Sequence, residues 1–253
     1  MPGQRPGREK TLKKPDTDAG KTILSLRNAS RLFESGEKTI RAVDQVDLDI
    51  RERELLVILG ESGSGKSTLL NLIGCMDHMT GGQRFVDGRD FSEPTEKEMT
   101  EYRRNTIGFV FQAYHLMPTL TAIENVRFIA EISDHPMDAE QALGMVGLTD
   151  RRDHFPSALS GGQLQRLAIA RALAKSPRMI LADEPTAALD FETGREVLQV
   201  LQDVVRQSGT TLVMVTHNSE IAKMADRIVR MKDGKIISNE IQESPAAAGA
   251  LVW

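Results

Sequence analysis

The sequence predicts an α/β fold with a mostly parallel sheet, an antiparallel β subdomain and an inserted α-helical subdomain. Two observations lead to this prediction. Short continuous apolar runs alternate with helical patterns, which is typical of parallel strands covered by helices on both faces. The stretch from about 113 to 175 contains no buried-strand run and has a mainly helical pattern. We therefore expect one sheet that is interrupted by a helical insertion.

Each predicted element rests on its own local pattern. Four apolar runs have the length of buried strands, at residues 54–59, 108–111, 179–182 and 211–215. Leu198, Leu201 and Val205 recur at helical spacing within 195–207, which indicates an amphipathic helix. Asp233-Gly234 separates two β-like runs within 227–237 and is a hairpin signal. The early segments 22–26 and 46–50 add strands that we expect to be antiparallel.

Composition excludes several classes of protein. The 253 residues carry 32 Lys and Arg against 36 Asp and Glu, a formal charge of −4, which argues against a basic nucleic-acid coat. Hydrophobic residues make up 40% of the chain, enough for a buried core. No apolar stretch approaches the roughly 20 residues of a membrane span, and no secretory signal follows the basic start. With Cys75 as its single cysteine, the sequence predicts a soluble intracellular protein without nucleic-acid partners.

The two ends differ in composition from the middle. Residues 1–21 hold six basic and three acidic side chains and few apolar ones, so we expect a disordered basic tail. Such a tail could contact anionic lipid or nucleic acid, although a solvated tail without a dedicated partner is the simpler interpretation. Residues 241–253 are expected to form a C-terminal tail. One domain would then occupy 22–240, with its helical subdomain at about 113–175.

A phosphate-binding loop follows the first buried strand. Residues 60–67 match the pattern GxxxxGK[ST], and a predicted strand precedes the loop while a predicted helix, 67–76, follows it. Glycines allow close approach of the backbone to a phosphate, and the amides at the helix start favour an anion. A Gly-Ser turn that ends in lysine by chance would lack this context. The expected ATP- or GTP-binding residues are Gly60, Glu61, Ser62, Gly63, Ser64, Gly65, Lys66, Ser67 and Thr68.

Two carboxylates follow the strand at 179–182. Asp183 and Glu184 would stand at the carboxyl end of a parallel strand, where ligands bind in such sheets. Asp183 fits a magnesium ligand beside the Ser67 hydroxyl, and Glu184 could polarise the water that attacks the γ-phosphorus. A solvated acidic turn is the alternative interpretation, which the phosphate loop makes less attractive.

A second anion-binding helix start lies at 159–163, LSGGQ, ahead of a helical run. Ser160 is a good N-cap, and Gly161 and Gly162 leave the amide end of the helix bare, although an ordinary cap would look the same. LSGGQ followed by a hydrophobic strand ending in Asp-Glu resembles the ATP-binding cassette (ABC) ATPases over about residues 22–240. The resemblance implies a P-loop NTPase (RecA-like) core, with ATP and Mg²⁺ as cofactors. It also implies that Ser160, Gly161, Gly162 and Gln163 bind nucleotide.

The resemblance assigns further roles. Gln112 resembles the Q-loop glutamine that contacts magnesium and the attacking water. His217 resembles the switch histidine on the γ-phosphate, and Asp190 belongs to a D-loop-like segment. Phe33 occupies the place of the aromatic that stacks on adenine. Arg53 stands where the family has Gly, so we expect a local turn change without loss of activity.

The resemblance also implies partners. In the family, two copies pair head to tail around ATP, and membrane permease subunits convert the motion into transport. Segments 70–77, 107–126 and 181–190 resemble the macrolide-export and lipoprotein-releasing (MacB-like, LolD-like) branch. We therefore expect a separate permease and export of a lipoprotein, peptide or macrolide-like compound. We also expect a peripheral location on the cytoplasmic face of the inner membrane. Residues 114–118 would line the permease groove or be ordinary subdomain core.

Two other kinds of ABC ATPase are alternatives to an exporter subunit. A mechanotransmission complex of the cell-division type shares these motifs and transports nothing. DNA-repair and chromosome-tethering ATPases need long coiled coils or zinc-finger insertions, whereas this chain has one cysteine and no room for coils.

Overall fold

The computed structural model describes residues 20–36 and 38–252. Its strands are β1 (Thr22–Ser35), β2 (Lys38–Arg51), β3 (Leu55–Leu59), β4 (Gly81–Val86), β5 (Arg89–Asp90), β6 (Ile107–Val110), β7 (Met179–Asp183), β8 (Thr211–Thr216), β9 (Arg227–Lys232) and β10 (Lys235–Ile241). Its α-helices are α1 (Lys66–Ile73), α2 (Glu96–Asn105), α3 (Ala122–Ala130), α4 (Ala139–Met145), α5 (Gly161–Leu173), α6 (Phe191–Ser208) and α7 (Ser219–Ala222). Short 3-10 turns lie at Thr149–Arg151, Pro156–Ala158 and Ala248–Ala250.

The predicted parallel sheet is confirmed. Its six strands run in the order β10-β9-β3-β8-β7-β6, and only β10 pairs antiparallel to its neighbour. Every residue of β3 and of β8 is buried, as expected of strands covered on both faces. Because β8 lies between β3 and β7, the carboxyl ends of these three strands are adjacent. The segments that follow them therefore share one edge of the sheet.

A second, antiparallel sheet of order β2-β1-β4-β5 packs beside the first and confirms the two predicted early strands. A buried ion pair connects the two sheets. Both side-chain oxygens of Glu54 accept hydrogen bonds from the Arg227 guanidinium, at 2.6 and 3.0 Å, and Arg227 also donates to the Asp49 carbonyl of β2. The start of β3 is thereby fixed against both β9 and the antiparallel sheet.

Helices α3, α4 and α5 lie between β6 and β7, where the sequence predicted a helical insertion. They share one core cluster with α6 and the adjacent face of the sheet. Helix α6 contains the predicted helix at 195–207, and Asp233-Gly234 forms the two-residue turn between β9 and β10, as predicted. The boundaries assigned to the domain and subdomain stay a prediction.

The two ends of the chain have different outcomes. The N-terminal tail predicted at 1–21 lies outside the described residues except for its last two. The C-terminal segment is packed rather than free, which corrects the expectation of a tail. Ala248 and Leu251 are buried, and the Gln202 side chain on α6 donates to the Ala246 carbonyl and accepts from the Ala248 amide. The sequence did not predict this docking, because the small apolar residues of the segment show no helical or strand periodicity.

Arg53 takes a left-handed backbone conformation with φ of 61° in the turn between β2 and β3. Glycine adopts this conformation without cost, whereas a residue with a Cβ is strained there. The backbone amide of Arg53 donates to the Thr211 hydroxyl at 2.9 Å, which holds the turn in place. Arginine at this position is therefore accommodated as local strain.

In the described part of the chain, no helix has both the length and the apolarity to cross a bilayer.

Candidate nucleotide-binding site

The phosphate loop connects β3 to α1 and is tightly packed from behind. Gly63 and Gly65 have φ of 79° and 96°. A Cβ on Gly65 would stand 2.0 Å from the Ala42 carbonyl oxygen, and one on Gly60 would stand 2.5 Å from the Met231 carbonyl oxygen. The loop therefore needs glycine at 65 both for its backbone conformation and for its close approach to β2.

Lys66 is directed into the loop that it follows. Its side chain donates to the Gly60 and Glu61 carbonyls at 2.8 and 2.9 Å, and the residue is only 7% exposed. Beside it, the Ser64 hydroxyl is buried and has no hydrogen-bond partner within the part of the chain that the structure describes. An ammonium group held among backbone carbonyls and amides is suited to the charge of a phosphate chain.

The predicted magnesium ligands meet across the sheet edge. The Ser67 hydroxyl donates to Asp183 Oδ1 at 3.0 Å, although the two residues are 116 positions apart. Burial raises the pKa of the Asp183 carboxyl, and the neighbouring Glu184 charge adds to this, while the Ser67 hydrogen bond opposes it. A bound cation would offset that desolvation. Hydroxyl and carboxylate oxygens are ligands that Mg²⁺ accepts, with substrate phosphates and water completing its shell, so the residues fit this ion.

Glu184 and His217 form the second pair of the site. Glu184 Oε1 lies 2.9 Å from His217 Nδ1, and the Glu184 amide donates to the Val215 carbonyl at 3.1 Å. Glu184 has φ of 45°, a conformation that side chains rarely adopt. Backbone strain of this kind is concentrated at functional sites, where the surrounding structure holds it.

These residues line one open cavity of about 950 Å³. Its walls include the phosphate loop from Glu61 to Thr68, apart from Ser64, together with Gln112, Asp183, Glu184 and His217. The remaining wall, which the sequence did not predict, consists chiefly of Ile40, Arg41 and Ala42 on β2 and the Asp233-Gly234 turn. The Gly234 amide donates to the Ser64 carbonyl at 3.1 Å, which brings the turn to the loop. The hairpin signal was present in the sequence, but nothing local placed it at this site.

Phe33 lies on β1 opposite Ile40 and is 38% exposed. The Arg31 guanidinium lies 4.5 Å from the centre of its ring and covers one face. Ile40 lines the cavity and Phe33 does not. The predicted adenine contact is thus adjacent to the cavity, and stacking by Phe33 stays a prediction.

The LSGGQ segment at 159–163, called the signature from here on, does not reach the cavity of its own chain. Ser160 caps α5: its hydroxyl accepts from the Gln163 amide at 3.3 Å, and its own amide donates to Gln163 Oε1 at 2.9 Å. Asp190 caps α6 and accepts from the Thr193 amide and hydroxyl, which lowers the pKa of its carboxyl. Both helix starts therefore carry their own side-chain caps and lie outside the cavity of the same chain.

Comparisons with known proteins agree with this geometry. Residues 43–187 match the family described as ABC transporter. The chain is 44% identical over 226 residues to "Macrolide export ATP-binding/permease protein MacB" of Brucella abortus (strain 2308), covering 87% of this chain and 35% of that relative. The same named protein of Rhodopseudomonas palustris (strain HaA2) is 44% identical over 237 residues, 92% of this chain and 36% of the relative. This chain thus spans about a third of the length of these relatives.

Among solved structures, the "ATP-binding cassette MJ0796 bound to ADP and Pi", described as dimeric and in a post-hydrolysis state, superimposes with a TM-score of 0.79. It is 41% identical, and the alignment covers 88% of this chain and all of the cassette. The phosphate loop, the paired carboxylates and the match over most of the chain lead to one conclusion. The chain belongs to the ABC transporter family and carries its ATP-hydrolysing domain.

Proposed function

We propose that this chain is the ATPase subunit of an export system, in which it drives a separate membrane permease that moves a lipoprotein, peptide or macrolide-like compound. The convergence of Lys66, the Ser67–Asp183 pair and the Glu184–His217 pair in one cavity carries the ATPase part of this proposal. The macrolide-export relatives support the export part, although the chain covers only about a third of their length. The subunit would lie peripherally on the cytoplasmic face of the inner membrane.

The phosphates are held by the loop and by Lys66, whose ammonium would offset the charge on the β- and γ-phosphates. Ser67, Asp183 and Gln112 would hold Mg²⁺, which when bound neutralises charge on the phosphate oxygens. Glu184 would orient the attacking water and accept its proton, because its carboxylate stands at the same sheet edge. His217, hydrogen-bonded to Glu184 Oε1, would fix that carboxylate and contact the γ-phosphate.

A second copy of the chain completes the proposed site. The start of α5, with Ser160, Gly161, Gly162 and Gln163, lies outside the cavity of its own chain. Because Ser160 and Gln163 cap each other, the Gly161 and Gly162 amides are the ones available to the γ-phosphate of ATP on a partner. The dimeric cassettes among the structural relatives support this arrangement. Phe33 would contact the adenine at the open end of the cavity.

The helical segment provides the surface for the permease. Phe128, Ile132 and Phe155 are large apolar side chains that remain about half exposed there. Residues 114–118 connect the Gln112 segment to this surface. We propose that a permease helix covers these side chains and that its movement reaches the cavity through Gln112.

Two substitutions test the ATPase assignment. Glu184→Gln should lower kcat by at least about 100-fold and leave ATP binding intact, so that the variant dimerises with ATP in size-exclusion chromatography. Lys66→Ala should weaken ATP binding itself, as measured by equilibrium dialysis. Glu101→Gln and Lys97→Ala, made in an exposed ion pair on α2, are matched controls and should behave as the unsubstituted protein. Unchanged hydrolysis in Glu184→Gln would remove Glu184 from the catalytic role.

A reconstituted assay tests the export assignment. The chain is purified with the permease that it binds, and ATP-dependent movement of a macrolide or lipoprotein is measured in proteoliposomes. Movement that Glu184→Gln abolishes supports export. Active hydrolysis with a bound permease and no movement of any such compound would point to a mechanotransmission complex instead.

A further inference from the structure

Helix α5 contacts both ends of the segment 111–115, which carries Gln112. The Gln165 amide group donates to the Phe111 carbonyl, immediately before Gln112, through a long hydrogen bond of 3.5 Å. The Arg171 guanidinium donates to the Tyr114 carbonyl at 2.9 Å and to the His115 carbonyl. Both donors lie on the helix that begins at Gly161, directly after Ser160.

The Arg171 end is held firmly. Two arms of one guanidinium reach two successive carbonyls, and charge-assisted hydrogen bonds of this kind are stronger than neutral ones. Among the described residues, Arg171 forms no ion pair with a carboxylate, so the carbonyls are what its partly buried charge faces. His115 has φ of 50°, and its ring packs edge-on against Phe111 at 4.9 Å between ring centres.

The Gln165 end is held loosely and at a cost. Gln165 is fully buried; among the described residues, its side-chain oxygen has no hydrogen-bond partner and its amide nitrogen makes only the 3.5 Å contact. A buried amide with an unpaired acceptor is destabilising, whereas an apolar side chain of similar size would avoid that cost. The presence of glutamine here is therefore better explained by its contact with Phe111 than by stability.

A third contact lies at the signature itself. A Cβ on Gly161 would stand 3.3 Å from the Tyr114 hydroxyl, so this side chain reaches the first turn of α5. Gln165 lies five residues after Ser160, or about 7.5 Å along the helix axis. Little more than one turn of helix thus separates Ser160 from Gln165, which contacts the carbonyl before Gln112. A displacement of the helix start would therefore also move this contact.

We infer that Gln165 and Arg171 are positioning residues for Gln112 and couple it to the signature end of α5. Arg171 fixes the far end of the segment 111–115, and Gln165 sets the position of the carbonyl that precedes Gln112. The inference rests on the proposed role of Gln112 in hydrolysis. Contact of Ser160 with a second copy would thereby adjust Gln112 within the same chain.

The test measures hydrolysis and stability together in the full chain. Gln165→Met should lower kcat about five- to tenfold, the effect of losing one hydrogen bond, with KM for ATP unchanged within about twofold. Its thermal midpoint should stay the same or rise, because the unpaired oxygen is removed. Arg171→Met should lower kcat likewise, and Arg171→Lys should recover part of the loss because it retains a charged donor.

Two comparisons make the result decisive. Gln202→Met removes another buried glutamine with good hydrogen bonds and should lower the thermal midpoint without changing kcat. In a Gln112→Ala background, Gln165→Met should cause no further loss of kcat. Unchanged kcat in Gln165→Met beside a low kcat in Gln112→Ala would overturn the coupling alone, as would equal losses in both backgrounds. Unchanged kcat in Gln112→Ala would overturn the assigned role of Gln112 and the coupling with it.

Discussion

Position 162 requires glycine because an added side chain would collide with a residue of the same chain. The effect of that collision on the free energy of unfolding can be predicted. A Cβ at this position would stand 2.2 Å from the Thr193 Cγ2 on α6. Gly162 does not have a positive φ, so alanine fits its backbone, and helix propensity favours alanine by about 1 kcal/mol. Overpacking costs about 1–3 kcal/mol. Gly162→Ala should therefore lower the free energy of unfolding by about 1 kcal/mol.

Thr193→Ser should relieve this loss. It removes the methyl group and keeps the hydroxyl that donates to Asp190 Oδ2 at 2.7 Å, and the Thr193 Cβ would then be the nearest atom, at 3.6 Å. Combined with Gly162→Ala, it should restore the free energy of unfolding to within about 0.5 kcal/mol of the original protein. Urea unfolding of the four proteins in this cycle measures the coupling. Additive losses would refute the packing explanation.

The same four proteins separate packing from contact with a second copy. A Cβ added at position 162 would point toward Thr193 of the same chain. Once Thr193→Ser has made room for it, the double variant should hydrolyse ATP within about twofold of the original protein. If unfolding is restored while hydrolysis stays low, glycine at 162 serves the ATP-bound dimer instead, and our explanation of this residue is wrong.

Three further substitutions test other parts of the fold. Burial and the Arg171 charge lower the pKa of Lys175 to about 8, so its charge destabilises the folded state below pH 8 and this penalty disappears between pH 8 and about 10.5. Lys175→Met should raise the free energy of unfolding by about 1–2 kcal/mol at pH 7, with the gain vanishing toward pH 10.5; a pH-independent gain would contradict this. Arg53→Gly should raise the free energy of unfolding by about 0.5 kcal/mol, because the relief of left-handed backbone strain exceeds the cost of the added entropy of the unfolded chain. A lower denaturation midpoint in this variant would count against strain at Arg53. Glu54→Gln should cost about 3–5 kcal/mol by leaving the buried Arg227 charge without its carboxylate, whereas replacing both by leucine should cost much less, as calorimetry can show; equal costs would argue against the ion pair.

The sequence was sufficient for those parts of the site that follow from strand order and local motifs. Asp183 ends a buried parallel strand, Lys66 and His217 follow two others, and parallel strands end at a common edge. Their meeting in one cavity was therefore predictable once the strands were identified. The Ser67–Asp183 hydrogen bond follows from the same topology.

The parts that could not be predicted depend on long-range packing. Ile40 reaches the cavity because β2 crosses behind the phosphate loop, and no local pattern reports that crossing. Gln202 looks like a surface amide on an amphipathic helix, yet it is buried because the C-terminal segment docks on it. Gln165 and Arg171 likewise follow a helical pattern that identifies the helix but not what its side chains touch.

The two signature glycines connect three motifs that are far apart in sequence. Gly161 is packed by Tyr114, two residues after Gln112, and Gly162 is packed by Thr193, whose hydroxyl binds Asp190. A Cβ added at Gly162 would overlap Thr193, and one added at Gly161 would stand 3.2 Å from Leu189 Cδ2 and 3.3 Å from the Tyr114 hydroxyl, so both would meet neighbours within the same chain. A loss of hydrolysis in variants at these glycines therefore has an explanation within one chain. Only a variant whose internal packing has been restored, as in the Gly162→Ala/Thr193→Ser pair, isolates the contribution of the dimer interface.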